Sequence, residues 1–95
     1  MADRAMLMVY CYDVVSDRVR ARVAAVLEET AVRVQKSVFE ARLGRTQAET
    51  LFERVARLLD DGDSLRMYAV SRPGLERSRT EGGAPIAEDG DFWIV

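Results

Sequence analysis

Histidine is absent from the 95 residues, and cysteine occurs once, at Cys11. The first absence removes Ser-His and Cys-His nucleophile systems, and the two together remove the usual ligands of zinc and argue against a zinc site. A single cysteine forms no intramolecular disulfide, and Cys11, inside an apolar run, is expected to be an inert core residue. No apolar run approaches the roughly 20 residues of a bilayer span. The first residues lack the basic start and small-residue cleavage site of a secretory signal, so a cytoplasmic chain with no membrane partner is expected. A glycine-rich phosphate loop is missing too, because the dense glycines lie within 74–90, with no strand before them and no helix after. Hydrolytic chemistry in such a chain falls to carboxylates, a hard metal ion, or both.

What is present fits one soluble globular domain, 48% hydrophobic and 32% charged, with little length to spare beyond a single core. The formal net charge of −2 hides an asymmetry. Residues 1–45 carry eight Lys/Arg against six Asp/Glu, whereas residues 46–95 carry six against ten. Thirteen of the 14 basic residues are arginine, Lys36 being the exception. Arginine suits bidentate phosphate contacts, although the codon preference of a GC-rich genome explains the same count.

The stretch around which the rest is organised is Met6 to Asp13, MLMVYCYD, where seven apolar or aromatic residues run into a carboxylate. Apolar at every position, it reads as a central strand buried on both faces. Asp13 sits where that strand leaves the sheet. Ser16 is a good N-cap with Asp17 in the first turn, and Val19, Val23, Val26 and Leu27 make one apolar helical face over about 17–30. Arg18, Arg20 and Arg22 crowd its start, against the helix dipole. They suit either an anion-binding site or a solvated basic face.

Residues 32–43, VRVQKSVFEARL, are extended, with a phase break at Lys36-Ser37-Val38. A bend, a bulge or a passage between two strands would each produce it. Thr46 and Glu49 form an expected capping box for a second helix over about 47–60, with Glu53 and Arg57 an i, i+4 pair. Ser64 to Val70 alternates as a strand. The polar stretch 71–91 reads as a loosely packed connection, and Asp91 to Val95 as an edge strand docked on this subunit or a partner. The order predicts an α+β, ferredoxin-like βαββαβ sandwich over 1–75, followed by a connection and extra strand over 76–95. Its uncovered sheet face would take a second copy.

Asp13 beside Tyr12 is a candidate magnesium or manganese ligand, while a solvated turn residue is the plainer reading of one such aspartate. Two copies near a two-fold axis would share an ion that one carboxylate holds poorly. Arg20, Arg22 and Arg33 with Tyr10, Tyr12 and Phe39 could hold a phosphate backbone, although Phe39 also suits the core. At this point VYCYDVVSDRVRARVAAVLEE, RVQKSVFEARL and DSLRMYAV together resemble the CRISPR-associated protein two family, over about residues 6–70. RVQKSVFE and the Tyr12-Asp13 pair are the most specific pieces. The resemblance implies a ferredoxin-like homodimer formed through the sheets, with a fifth strand that often completes the partner's sheet. It implies a metal-dependent endonuclease acting on single-stranded RNA or double-stranded DNA, with Asp13 as the catalytic and metal-binding aspartate and Mg2+ or Mn2+ as cofactor. It places the nucleic-acid-binding residues on Tyr12, Arg20, Arg22, Arg33 and Phe39, and the CRISPR integrase (CRISPR-associated protein one) as partner. A catalytically silent DNA scaffold bridging integrase dimers, and a related toxin-type ribonuclease, are the alternatives that the same resemblance carries.

Overall fold

The computed structural model describes residues 4–86. The elements are β1 (Met6–Asp13), α1 (Asp17–Glu28), β2 (Val32–Gln35), β3 (Val38–Leu43), α2 (Arg45–Ala56), β4 (Ser64–Val70) and α3 (Arg72–Glu76). Four strands form one antiparallel sheet in the order β2-β3-β1-β4. β1 is central, as its apolar run requires, and the order is that of the expected βαββαβ, ferredoxin-like sandwich.

α1 and α2 cover one face, while on the other Leu7 of β1 and Arg42 of β3 are buried as well. On the helix-covered face Met8, Tyr10 and Tyr12 of β1 and Phe39, Ala41 and Leu43 of β3 pack against Val23 and Leu27 of α1 and Ala48, Leu51 and Val55 of α2. Tyr10 lies opposite Phe39 in register, and its hydroxyl donates to the Ala48 carbonyl of α2 at 2.8 Å. Burial pushes that hydroxyl's pKa up to about 12. The odd residues of β1 face the other way. Cys11 among them is only half-buried, so it is not the core residue expected. Val32 and Tyr68 are each 49% exposed on β2 and β4.

Several boundaries differ from expectation, each for a local reason. The phase break is a passage between strands: Lys36-Ser37 turns β2 into β3, with a register slip between Arg33 and Gln35. α2 starts at Arg45, so Gly44 and not Thr46 is its cap. The box closes from one side, by the Gly44 N–H donating to Gln47 Oε1 at 3.2 Å. Glu49 instead faces Arg45, Nε to Oε2 3.5 Å. The helix ends four residues early because Leu58 and Leu59 donate to Val55 and Ala56, tightening the turn. Arg54, and not Arg57, takes an acid there: its guanidinium meets both carboxylate oxygens of Glu29, beyond α1, at 3.0 and 3.3 Å. Within the connection, Ser71 caps the short α3 through the Gly74 N–H. Residues 79–84 border a hollow of about 300 Å3 with Val34, Val38 and Glu40. The expected strand at Asp91–Val95 lies outside the described residues.

Candidate functional site

Asp13 is the last residue of β1 and pairs with Ser64, the first of β4. The Tyr12 N–H donates to the Ser37 carbonyl at 3.1 Å, which brings the β2–β3 turn to the same end. Three connections therefore meet around Asp13: 14–16 into α1, 36–37, and 60–63 into β4. The Asp13 side chain is exposed. It makes no hydrogen bond or ion pair among the described residues.

The turn that follows Asp13 is fastened from two sides. Val14 is buried, whereas Val15 is 83% exposed. Arg20, one turn into α1, reaches back so that Nη1 donates to the Val14 carbonyl at 2.8 Å and the Val15 carbonyl at 3.3 Å. Its Nη2 pairs with Asp17. From the other side, Asp63 Oδ1 accepts the Val15 N–H at 3.2 Å while Oδ2 accepts the Asp60 N–H at 2.9 Å. Ser16 caps α1 through the Val19 N–H at 3.2 Å, as its sequence position predicts.

The other expected residues divide. Arg22 is exposed on α1. It is rotated roughly 200° from Arg20, because residues two apart never share a helix face. These two arginines do not converge within one protomer. Arg33 stands over the Phe39 ring, 4.9 Å from its centroid, donates to the Lys36 carbonyl at 2.6 Å, and lies 3.6 Å from Glu28. Phe39 in turn stacks on Tyr12 at 6.3 Å between centroids. Tyr12 and Phe39 are 6% and 0% exposed, so neither offers a ring face to a base. The expectation of direct nucleic-acid contact is corrected for both: they form a buried row that carries Arg33 at the sheet's edge. The apolar run around Tyr12 and the core reading of Phe39 both pointed to burial.

Sequence reasoning missed Asp63, which lies between the second helix and the strand from Ser64. The signal was Asp61-Gly62-Asp63 just before a strand. Gly62 takes a positive φ of 89°, which turns the chain back so that Asp63 faces the 14–16 turn.

As a metal centre the site offers oxygen only. No group of three or more His, Cys, Asp or Glu stands together among the described residues. One protomer thus offers a single exposed carboxylate, Asp13, of a kind that could serve Mg2+, an ion that keeps several waters and takes one or two carboxylates.

Known proteins resemble this chain in sequence and fold. The family model of the CRISPR associated protein Cas2 matches residues 6–77. A CRISPR-associated endoribonuclease Cas2 of Chloroflexus aurantiacus is 38% identical over 91 residues, covering 95% of this chain and 98% of that one. Among solved structures, the hypothetical protein TT1823 from Thermus thermophilus matches with a TM-score of 0.74 at 36% identity, over 88% of this chain and 99% of that one. A chain of a partial Cas6-RT-Cas1–Cas2 complex matches with a TM-score of 0.70 at 26% identity, over 87% and 92%. The matched residues include all four strands and both long helices, with Asp13 at the end of the central strand, and the chain belongs to the CRISPR associated protein Cas2 family.

Proposed function

We propose that the chain is a CRISPR-associated, magnesium-dependent endonuclease of the cytoplasm that acts in adaptation, hydrolysing phosphodiester bonds in single-stranded RNA or duplex DNA. The endoribonuclease name of the Chloroflexus relative supports the reaction class. The observation that carries the assignment to a site is Asp13, an exposed carboxylate without a partner among the described residues, at the end of the central strand on a turn fastened from both sides. Two protomers related through the open sheet face would each contribute Asp13 to one Mg2+ or Mn2+ ion. Such an ion supplies activated water and neutralises charge on the phosphate. Arg20 sets the turn that presents Asp13 and Arg33 holds a phosphate beside it, while Arg22, on another side of α1, holds a phosphate farther along the nucleic-acid strand. Tyr12 and Phe39 support Arg33 from the core.

A second reading is a DNA-bridging scaffold for the CRISPR integrase, whose Cas1 is present with Cas2 in the complex matched above. It is favoured by the exposed Arg18 and Arg22 on one side of α1, which would track a duplex backbone without any need for Asp13. Both readings need the dimer, and both require binding that weakens steeply with salt as counterions are released.

Cleavage of single-stranded RNA and duplex DNA in Mg2+, by wild type and Asp13→Ala of equal dimeric mass, tests the first reading. Loss of cleavage with Asp13 supports it and names the substrate. No cleavage by either protein leaves the scaffold, and equal cleavage by both exposes a contaminant and sinks the Asp13 assignment.

A further inference from the structure

We infer that Asp63 is a positioning residue for the metal carboxylate, acting through the backbone of the Val14-Val15 turn; the inference rests on the Asp13 reading above. A lone carboxylate at a strand end is a poor metal ligand unless its backbone is fixed, because ordering a free turn opposes binding. Here the residue two beyond Asp13 is held at both of its backbone groups. Its carbonyl accepts from Arg20 at 3.3 Å, and its N–H donates to Asp63 at 3.2 Å. Hydrogen bonds to an ionised carboxylate are the stronger kind.

Asp63 is itself immobilised. Its second oxygen takes the Asp60 N–H at 2.9 Å, and it directly precedes Ser64, the register partner of Asp13. The carboxylate therefore joins the exit of β1 to the entry of β4, across the same pair of strands that carries Asp13. Val14 is anchored in the core, but Val15 is 83% exposed, so its own position owes little to apolar packing. Val15 is held instead by the hydrogen bond that Arg20 donates and the one that Asp63 accepts.

The test is Mn2+ binding to the whole dimer, read by titration calorimetry and by paramagnetic broadening of the backbone amides of residues 12–16. Asp63→Ala is expected to weaken Mn2+ binding roughly 10-fold, the low end for partners that orient a metal ligand. It should also speed hydrogen exchange at the Val15 amide. Asp63→Asn loses the same charge but keeps a carbonyl oxygen for the Val15 N–H, so it should fall between Asp63→Ala and wild type. Asp61→Ala removes a charge from the same turn without touching this bond and should bind as wild type does. Asp63→Asn decides if Asp63→Ala does not fold. Wild-type affinity in both Asp63 variants, or equal losses in Asp63→Ala and Asp61→Ala, overturns the inference while leaving Asp13 in place. If wild type and Asp13→Ala titrate alike, the metal reading falls and takes the inference with it.

Discussion

Tyr10 and Tyr12 stand two residues apart on the helix-covered side of β1, yet their hydroxyls meet different fates. That of Tyr10 donates to Ala48, and burial raises its pKa to about 12. An unfolded tyrosine titrates near 10, so between about pH 10 and 12 the unfolded chain has lost a proton that the folded chain keeps. Stability is then fully present below pH 10 and falls by about 1.4 kcal/mol per pH unit through the window. Urea melts of Tyr10→Phe should be flatter there than those of wild type, after a loss of about 1 kcal/mol at pH 7 for the missing bond. The Tyr12 hydroxyl is buried with no partner among the described residues. Deleting it removes a desolvated group that makes no bond, so Tyr12→Phe should gain about 1 kcal/mol in the same melts. A loss of that size instead would show that the hydroxyl has a partner in the assembled protein.

The β2–β3 hairpin shows at the scale of an element what sequence could and could not reveal. Central β1, the Ser16-capped α1 and the alternating β4 were legible, because apolar period and capping chemistry act locally. The turn at Lys36-Ser37 was not, for want of Gly, Pro or Asn. No non-glycine residue among those described takes a positive φ, so this reversal needs no left-handed residue, and the register slip beside it absorbs the twist. Arg33 closes the turn by donating to the Lys36 carbonyl and resting on Phe39. Side-chain contacts of this kind, though close in sequence, leave no mark on the pattern of apolar and polar residues. The same holds for Asp63, whose partner Val15 lies 48 residues away, whereas Asp13 was visible as the carboxylate ending an apolar run. Arg33→Ala should cost about 1–2 kcal/mol, from one hydrogen bond and one cation–π contact, read by thermal melting. Arg33→Lys should recover less than half, since an ammonium cannot stack flat on the ring while reaching the carbonyl. Full recovery by lysine would reduce Arg33 to a charge.

For the whole molecule, the sheet face away from the helices is the feature still to be accounted for. Val9 of β1 lies there between Glu40 of β3 and Tyr68 of β4 in register. Cys11, Val32 and Val38 surround them, half-buried or exposed. The proposed pairing of protomers through this face would bury Val9 at its centre, so Val9→Arg should halve the mass seen by light scattering and abolish Asp13-dependent cleavage. Glu40 makes the pairing sensitive to pH. Desolvation already raises its carboxyl pKa in one protomer, and a second copy over the face would raise it further. Above the ordinary carboxylate range the dimer then holds a proton that separated protomers release, so assembly takes up protons and tightens as pH falls through that window. The dissociation constant of wild type should therefore drop between pH 7 and mildly acidic conditions, and that of Glu40→Gln should stay level while matching the low-pH value. Parallel profiles for the two proteins would place Glu40 in water in the dimer and move the interface off this part of the sheet.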